Sequence, residues 1–170
     1  MPVAASLIPE LERAVGHGSA EKRAATLRRI TTLFLDGASQ FTDEHVRLFD
    51  DVMGYLIEEI ESQAIAELAR RIAPVPNAPP EVVRTLAHSD DIAIAGPVLE
   101  QSQLDHHDLL RIAGTQSQPH LLAIAMRPDV SEALAEVLLA RGDQSVVRSV
   151  AANQQAQLSD NAFASLVTRA

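Results

Sequence analysis

The chain has no cysteine and no tryptophan, one tyrosine and four phenylalanines among 170 residues. Without cysteine there is no disulfide framework and no thiolate metal site, which fits a reducing compartment. Lysine occurs once, at Lys22, and the net charge is −9. Residues 1–73 carry eight basic and twelve acidic side chains, and residues 74–170 carry six and eleven. A phosphate-backbone binder needs a clustered positive surface. Basic clusters such as Arg28-Arg29 and Arg70-Arg71 are no larger than pairs, so nucleic acid is not an expected partner. No apolar run reaches the ~18 residues of a membrane span. The N-terminal Met1-Pro2-Val3-Ala4-Ala5-Ser6 lacks the basic region and apolar run of a signal peptide. The expected location is therefore cytoplasmic, away from the membrane.

What the chain does have is a period. The doublets Ile72-Ala73, Val98-Leu99, Ile124-Ala125 and Val150-Ala151 recur every 26 residues without insertion. Leu86, Ile112 and Leu138 keep the same spacing, as do Asp91, Ser117 and Asp143. A long, gap-free period of this kind predicts stacked helical hairpins. The apolar residues are chiefly Ala, Leu, Ile and Val, which suits close helix-on-helix packing.

The first half predicts longer helices. Ser19 caps a helix from Ala20 to Leu35, with an apolar stripe of Leu27, Ile30, Leu33 and Phe34. Gly37 ends it. Thr42 caps the next, whose stripe runs Val46, Phe49, Met53, Leu56, Ile60, Ala64, Leu68, Ile72, about eight turns of continuous helix. A short helix is expected over Leu7–Val15. Four prolines between Pro74 and Pro80 cannot continue a helix. They mark the boundary between a helical cap, residues 1–73, and an array, residues 74–170.

Within the array, outer helices are expected near Pro80–His88, His106–Ala113, Ser131–Arg141 and Ser159–Thr168. Inner helices are expected near Asp91–Gln101, Pro119–Met126 and Gln144–Asn153. Asp91, Ser117 and Asp143 are N-caps for the inner helices, and their recurrence predicts a ladder of capping bonds reaching neighbouring units. Gly96-Pro97 within an inner helix predicts a short, kinked or restarted element. The fold class is all-α: a long-helix cap followed by about three and a half α-α hairpin repeats of 26 residues.

The stretch Asp143–Asn153, with Arg148 at its centre, resembles a unit of the HEAT-like and leucine-rich-variant repeats, as does Leu86–Asp91. More specifically, the chain resembles the bacterial family named domain of unknown function 2336. Three stretches carry the resemblance: Leu33-Phe34-Leu35 with Phe49-Asp50-Asp51-Val52, then Glu58-Glu59-Ile60-Glu61, then Ala95-Gly96-Pro97-Val98-Leu99-Glu100. The resemblance covers the chain from about Leu27 onward. It implies a HEAT-like α-solenoid of right-handed type, and supplies no activity, cofactor or site residue.

Few residues point to chemistry. Asp105-His106-His107-Asp108 is the most ligand-rich cluster, and His with carboxylate is metal-site chemistry. Neighbouring side chains on a helix diverge by about 100°, however, and Asp105 is a natural N-cap. Glu58, Glu59, Glu61 and Glu67 lie off the apolar stripe, as a solvated face would. Ser19-Ala20-Glu21-Lys22 and Ser159-Asp160-Asn161 match two serine β-lactamase strings, but the third is absent and both sit at helix starts. Arg141-Gly142-Asp143 is a repeat turn. No catalytic residue, cofactor site or metal site is assigned.

The expected function is a non-enzymatic protein–protein interaction scaffold or regulatory module with a protein or peptide partner. Its face would be built from polar positions of the inner helices: Glu100, His120, Arg127, Arg148 and Asn153. Two alternatives are a metal-dependent enzyme or metal-binding protein around His106-His107, and a HEAT-like nucleic-acid-binding module, which the charge disfavours. The last helix, with Ala162, Phe163, Ala164, Leu166 and Val167, is more apolar than a terminal cap. It predicts either further sequence or self-association through this end.

Overall fold

The computed structural model describes residues 19–58 and 60–169. These residues form ten α-helices and one short 3-10 helix, with no strand among them. The helix expected over Leu7–Val15 lies outside the described residues. The chain divides into two compact units, Met1–Val83 and Arg84–Ala170. The division falls inside the helix that follows the proline-rich segment.

In the first unit, α1 (Ala20–Gly37) is capped by Ser19, whose Oγ accepts from the Lys22 N–H at 3.4 Å. Leu27, Ile30 and Phe34 are buried, but Leu33 is 38% exposed. A 3-10 turn, Ala38–Gln40, follows. A Cβ on Gly37 would run into the Phe41 ring. That close approach seats Phe41 5.8 Å from Phe34 and 5.1 Å from Phe49, while Phe34 meets Phe49 edge-on at 5.2 Å. Three of the four phenylalanines thus form one cluster, worth ~0.5–1.5 kcal/mol per pair beyond area burial.

The single long helix expected from Thr42 to Ile72 is two: α2 (Asp43–Ile57) and α3 (Ser62–Ile72). The stripe is in register across the break, so periodicity alone conceals it. Both helices pack on α1. A continuous 30-residue helix would be about 45 Å long, against about 27 Å for α1. Breaking it lets both apolar faces reach the same partner.

The next helix, α4 (Pro80–Ala87), is capped from a distance. The Asp50 carboxylate on α2 accepts from the Glu81 N–H at 3.0 Å and the Val82 N–H at 2.8 Å. Pro80 at the first helical position has no N–H to satisfy. Burial pushes the Asp50 carboxyl above its ordinary pKa, against the two backbone bonds that favour the anion.

The second unit holds α5 (Ile92–Gln101), α6 (His106–Thr115), α7 (Gln118–Ala125), α8 (Glu132–Arg141), α9 (Gln144–Ala152) and α10 (Asp160–Arg169), close to the spans expected from the period. α7 packs on both α5 and α9, and α8 packs on both α6 and α10. Each of α6 to α9 also packs on the helix that follows it. The doublets supply the contact: Val98, Leu99, Ile124, Ala125 and Val150 are fully buried, as are Ile112 and Leu138. Ala151 is the exception and is exposed.

Gly96-Pro97 does not make the helix restart: α5 runs through Pro97. Proline removes the bond to the Ala93 carbonyl, but Ala93 is exposed, so water can take the bond's place. The N-caps expected at Asp91 and Asp143 form, but their side chains bond within their own helices rather than to neighbouring units. Asp91 Oδ1 accepts from its own Ala93 N–H at 2.9 Å, and Asp143 Oδ1 from Ser145 and Val146 at 2.9 and 3.1 Å. The Ser117 side chain accepts no capping bond, and its hydroxyl lies 2.9 Å from His120 Nδ1.

Candidate interaction surface

Two rows of hydrogen bonds between helices of the second unit end on helix C-termini, where the last carbonyls lack intrahelical partners. The Arg127 guanidinium donates from Nη1 to the carbonyls of Leu99 and Ser102 at 2.7 and 3.0 Å. One period later, the Asn153 amide donates to the carbonyls of Ala125 and Arg127 at 3.2 and 2.7 Å. In the other row, Arg141 donates to the carbonyls of Ala113 and Gln116, and Arg169 to those of Leu139 and Gly142. The accepting carbonyls in each row keep the sequence spacing almost unchanged, although the donor changes from arginine to asparagine in the first row. Gly142 is fixed by the same crowding, because a Cβ there would meet the Leu138 carbonyl and the Val146 side chain.

These contacts sort the five polar positions assigned to the inner-helix face. His120 and Arg127 are buried, at 1% and 4% exposure. His120 Nε2 lies 2.9 Å from the Ser89 carbonyl. Arg127 is held by Asp129 through a two-bond fork of 2.7 and 2.9 Å. That fork holds the Asp129 carboxyl below its ordinary pKa. Asn153 and Glu100 are half-buried, and Arg148 is exposed.

The exposed side of α5, α7 and α9 is instead built mainly from small and apolar residues. One line of accessible positions is Ala93, Pro119 and Ser145, then Leu122 and Arg148, then Glu100, Met126 and Ala152; Gln101, Gln144 and Ala151 are exposed as well. They fall at steps of three and four along α7 and α9 and seven apart on α5, on one face of each helix. Met126 is 60% exposed. The sequence did signal this position, since Met126 aligns with Glu100 and Ala152 in the period, but a methionine in an apolar helix reads equally well as core.

A family model described as an uncharacterised protein conserved in bacteria, DUF2336, matches residues 94–170. This C-terminal stretch is similar to the DUF2336 family. It takes in α6 to α10 and nearly all of α5, including the Ala95–Glu100 stretch. The Leu33–Leu35, Phe49–Val52 and Glu58–Glu61 stretches precede it, so the match is narrower than the resemblance read from the sequence. Comparison with curated proteins and with solved structures gave no match.

Inside the DUF2336 stretch, the Asp105–Asp108 cluster is committed to structure. Asp105 caps α6, accepting from the His107 N–H at 2.7 Å. Asp108 is buried and sits between Arg84 (3.1 Å), His88 (3.3 Å) and Arg111 (3.1 Å). Burial raises its carboxyl pKa, but His88, Arg84 and Arg111 outweigh burial and hold it below the ordinary value. His106 Nε2 lies 3.5 Å from Ser131 Oγ. Among the described residues, no group of three or more His, Asp or Glu side chains is placed to hold a metal ion. On α10, Ala162 and Leu166 are buried, while Phe163 and Val167 are 62% and 70% exposed. No helix of the described residues is long and apolar enough to cross a membrane.

Proposed function

We propose that the protein is a non-enzymatic, HEAT-like α-solenoid module that binds a protein or peptide along the exposed side of α5, α7 and α9. The carrying observation is the exposed Met126, in a row whose accessible positions are small or apolar apart from Glu100 and Arg148. Stacked hairpin arrays present such rows as extended binding faces, and an exposed apolar patch is the ordinary mark of a partner site. A helix or extended strand bearing apolar side chains fits this chemistry better than a charged ligand does. The metal-enzyme reading has less support, because Asp105 and Asp108 are already engaged with backbone and guanidinium groups.

The test is affinity capture from the source cell with the wild-type chain and with Met126→Glu. The reading expects a protein held by the wild type and lost from the variant, with equal melting temperatures. Equal capture by both would refute it. A second reading rests on Phe163 and Val167, whose exposure on one side of α10 supports self-association through that helix. Sedimentation of the wild type beside Phe163→Ser/Val167→Ser distinguishes it: a concentration-dependent mass confined to the wild type supports it, and monomers throughout count against it.

A further inference from the structure

The row along α5, α7 and α9 carries one charge at each edge. Glu100 stands on α5 and Arg148 on α9, with Leu122 and the 60% exposed Met126 on α7 between them. Among the described residues, neither Glu100 nor Arg148 has a hydrogen bond or an ion pair. Every other arginine of the second unit is engaged. Arg84 and Arg111 meet Asp108, Arg127 meets Asp129, and Arg141 and Arg169 donate to main-chain carbonyls. The two edge charges are thus available to a partner.

The period fixes how these groups are laid out. Glu100, Met126 and Ala152 hold equivalent positions, as do Gly96, Leu122 and Arg148. The first three stand at one level across the row, and the second three about one turn nearer the helix N-termini. α7 packs on both α5 and α9, so it is the centre of the face. Such a face, negative at one edge and positive at the other, complements itself when reversed. A ligand of one sign would meet repulsion at one of the edges.

We propose that the occupant of the α5–α7–α9 face is a second copy of this chain, docked about a two-fold axis along α7. This rests on the reading of that face as a protein-binding surface and names what binds there. The axis lays α7 over its own counterpart and α5 over the other copy's α9, so Met126 and Leu122 form an apolar centre. Each Glu100 then lies across from the partner's Ala152. The partner's Arg148 is about 6 Å along the same helix, within reach of an arginine side chain. Symmetry makes the Glu100–Arg148 contact twice. Three helices about 15 Å long and about 9 Å apart give a face of a few hundred Å2 per copy, the size of a transient contact. The dimer forms at high concentration and dissociates on dilution.

The test is sedimentation equilibrium of the full chain over a wide concentration range, with charge-reversed variants. The wild type should show a monomer–dimer equilibrium. Glu100→Arg and Arg148→Glu should each weaken it about tenfold, because each sets like charges opposite one another twice per dimer. Glu100→Arg/Arg148→Glu should return to within about threefold of the wild type, as a reversed ion pair does and two unrelated surface changes do not. Circular dichroism of each variant, at a dilution where the wild type is monomeric, should match the wild type. A wild type that stays monomeric overturns the proposal, and so does a double variant no better than the singles. Loss of the dimer in Phe163→Ser/Val167→Ser but not in Met126→Glu overturns it as well, by moving the contact to α10. The broader reading fails separately: a different protein captured by the wild type and lost with Met126→Glu leaves that reading standing, while a monomeric wild type removes this one.

Discussion

The side-chain amide of Asn153 donates to the main-chain carbonyl of Arg127 at 2.7 Å, while Arg127 itself reaches back to the carbonyls of Leu99 and Ser102. Two residues 26 positions apart, one charged and one neutral, therefore do the same thing. Each ties the open C-terminal end of a preceding helix to its own unit. Polar residues at these positions tie helices of the second unit to one another rather than displaying a recognition code.

Arg127→Ala should destabilise the protein by about 3 kcal/mol, since it removes a buried charged donor and strands two carbonyls. Arg148→Ala, on the exposed side of α9, should change stability by less than ~0.5 kcal/mol. Urea denaturation of the two variants checks the contrast. Equal midpoints would show that the Arg127 bonds contribute nothing net.

Asp143→Ala should cost about 1 kcal/mol, because Oδ1 accepts from two backbone N–H groups at the start of α9. Asp160→Ala, at an exposed position opening α10, should matter less, because Ser159 Oγ already accepts from the Ala162 N–H at 3.1 Å. Melting temperatures that fall together would contradict this.

Two carboxylates should respond to pH with opposite signs. Asp108 has a depressed folded-state pKa, so its contribution is present above the unfolded value of ~3.9 and is lost as pH falls through the folded one. The stability gap between wild type and Asp108→Asn should therefore shrink from pH 7 to pH 3. Asp50 has a raised folded-state pKa. Its contribution is full below the unfolded value and is lost as pH rises through the folded one. Relative to Asp50→Asn, the wild type should thus be better off at pH 3 than at pH 7. Chemical denaturation at the two pH values decides both, and parallel changes in the two variants would be the adverse result.

The sequence by itself determined the helical class and nearly every helix of the second unit. Its apolar doublets recur because each helix must bury the same face against the same kind of neighbour, a local and periodic demand. It also named Ser19 and Asp143 as caps, since a capping side chain acts within its own turn. Only the tertiary structure decided the rest. The break between α2 and α3 follows from the finite length of α1, which no local pattern records. His120 and Arg127 read as surface residues, yet they are buried because carbonyls earlier in the second unit require their N–H groups. Arg28 and Arg71 become neighbours only when α1 meets α3. A single chain's periodicity states which face of a helix is apolar. It does not state which polar group will stand across from it, because that depends on residues far away in sequence and near in space.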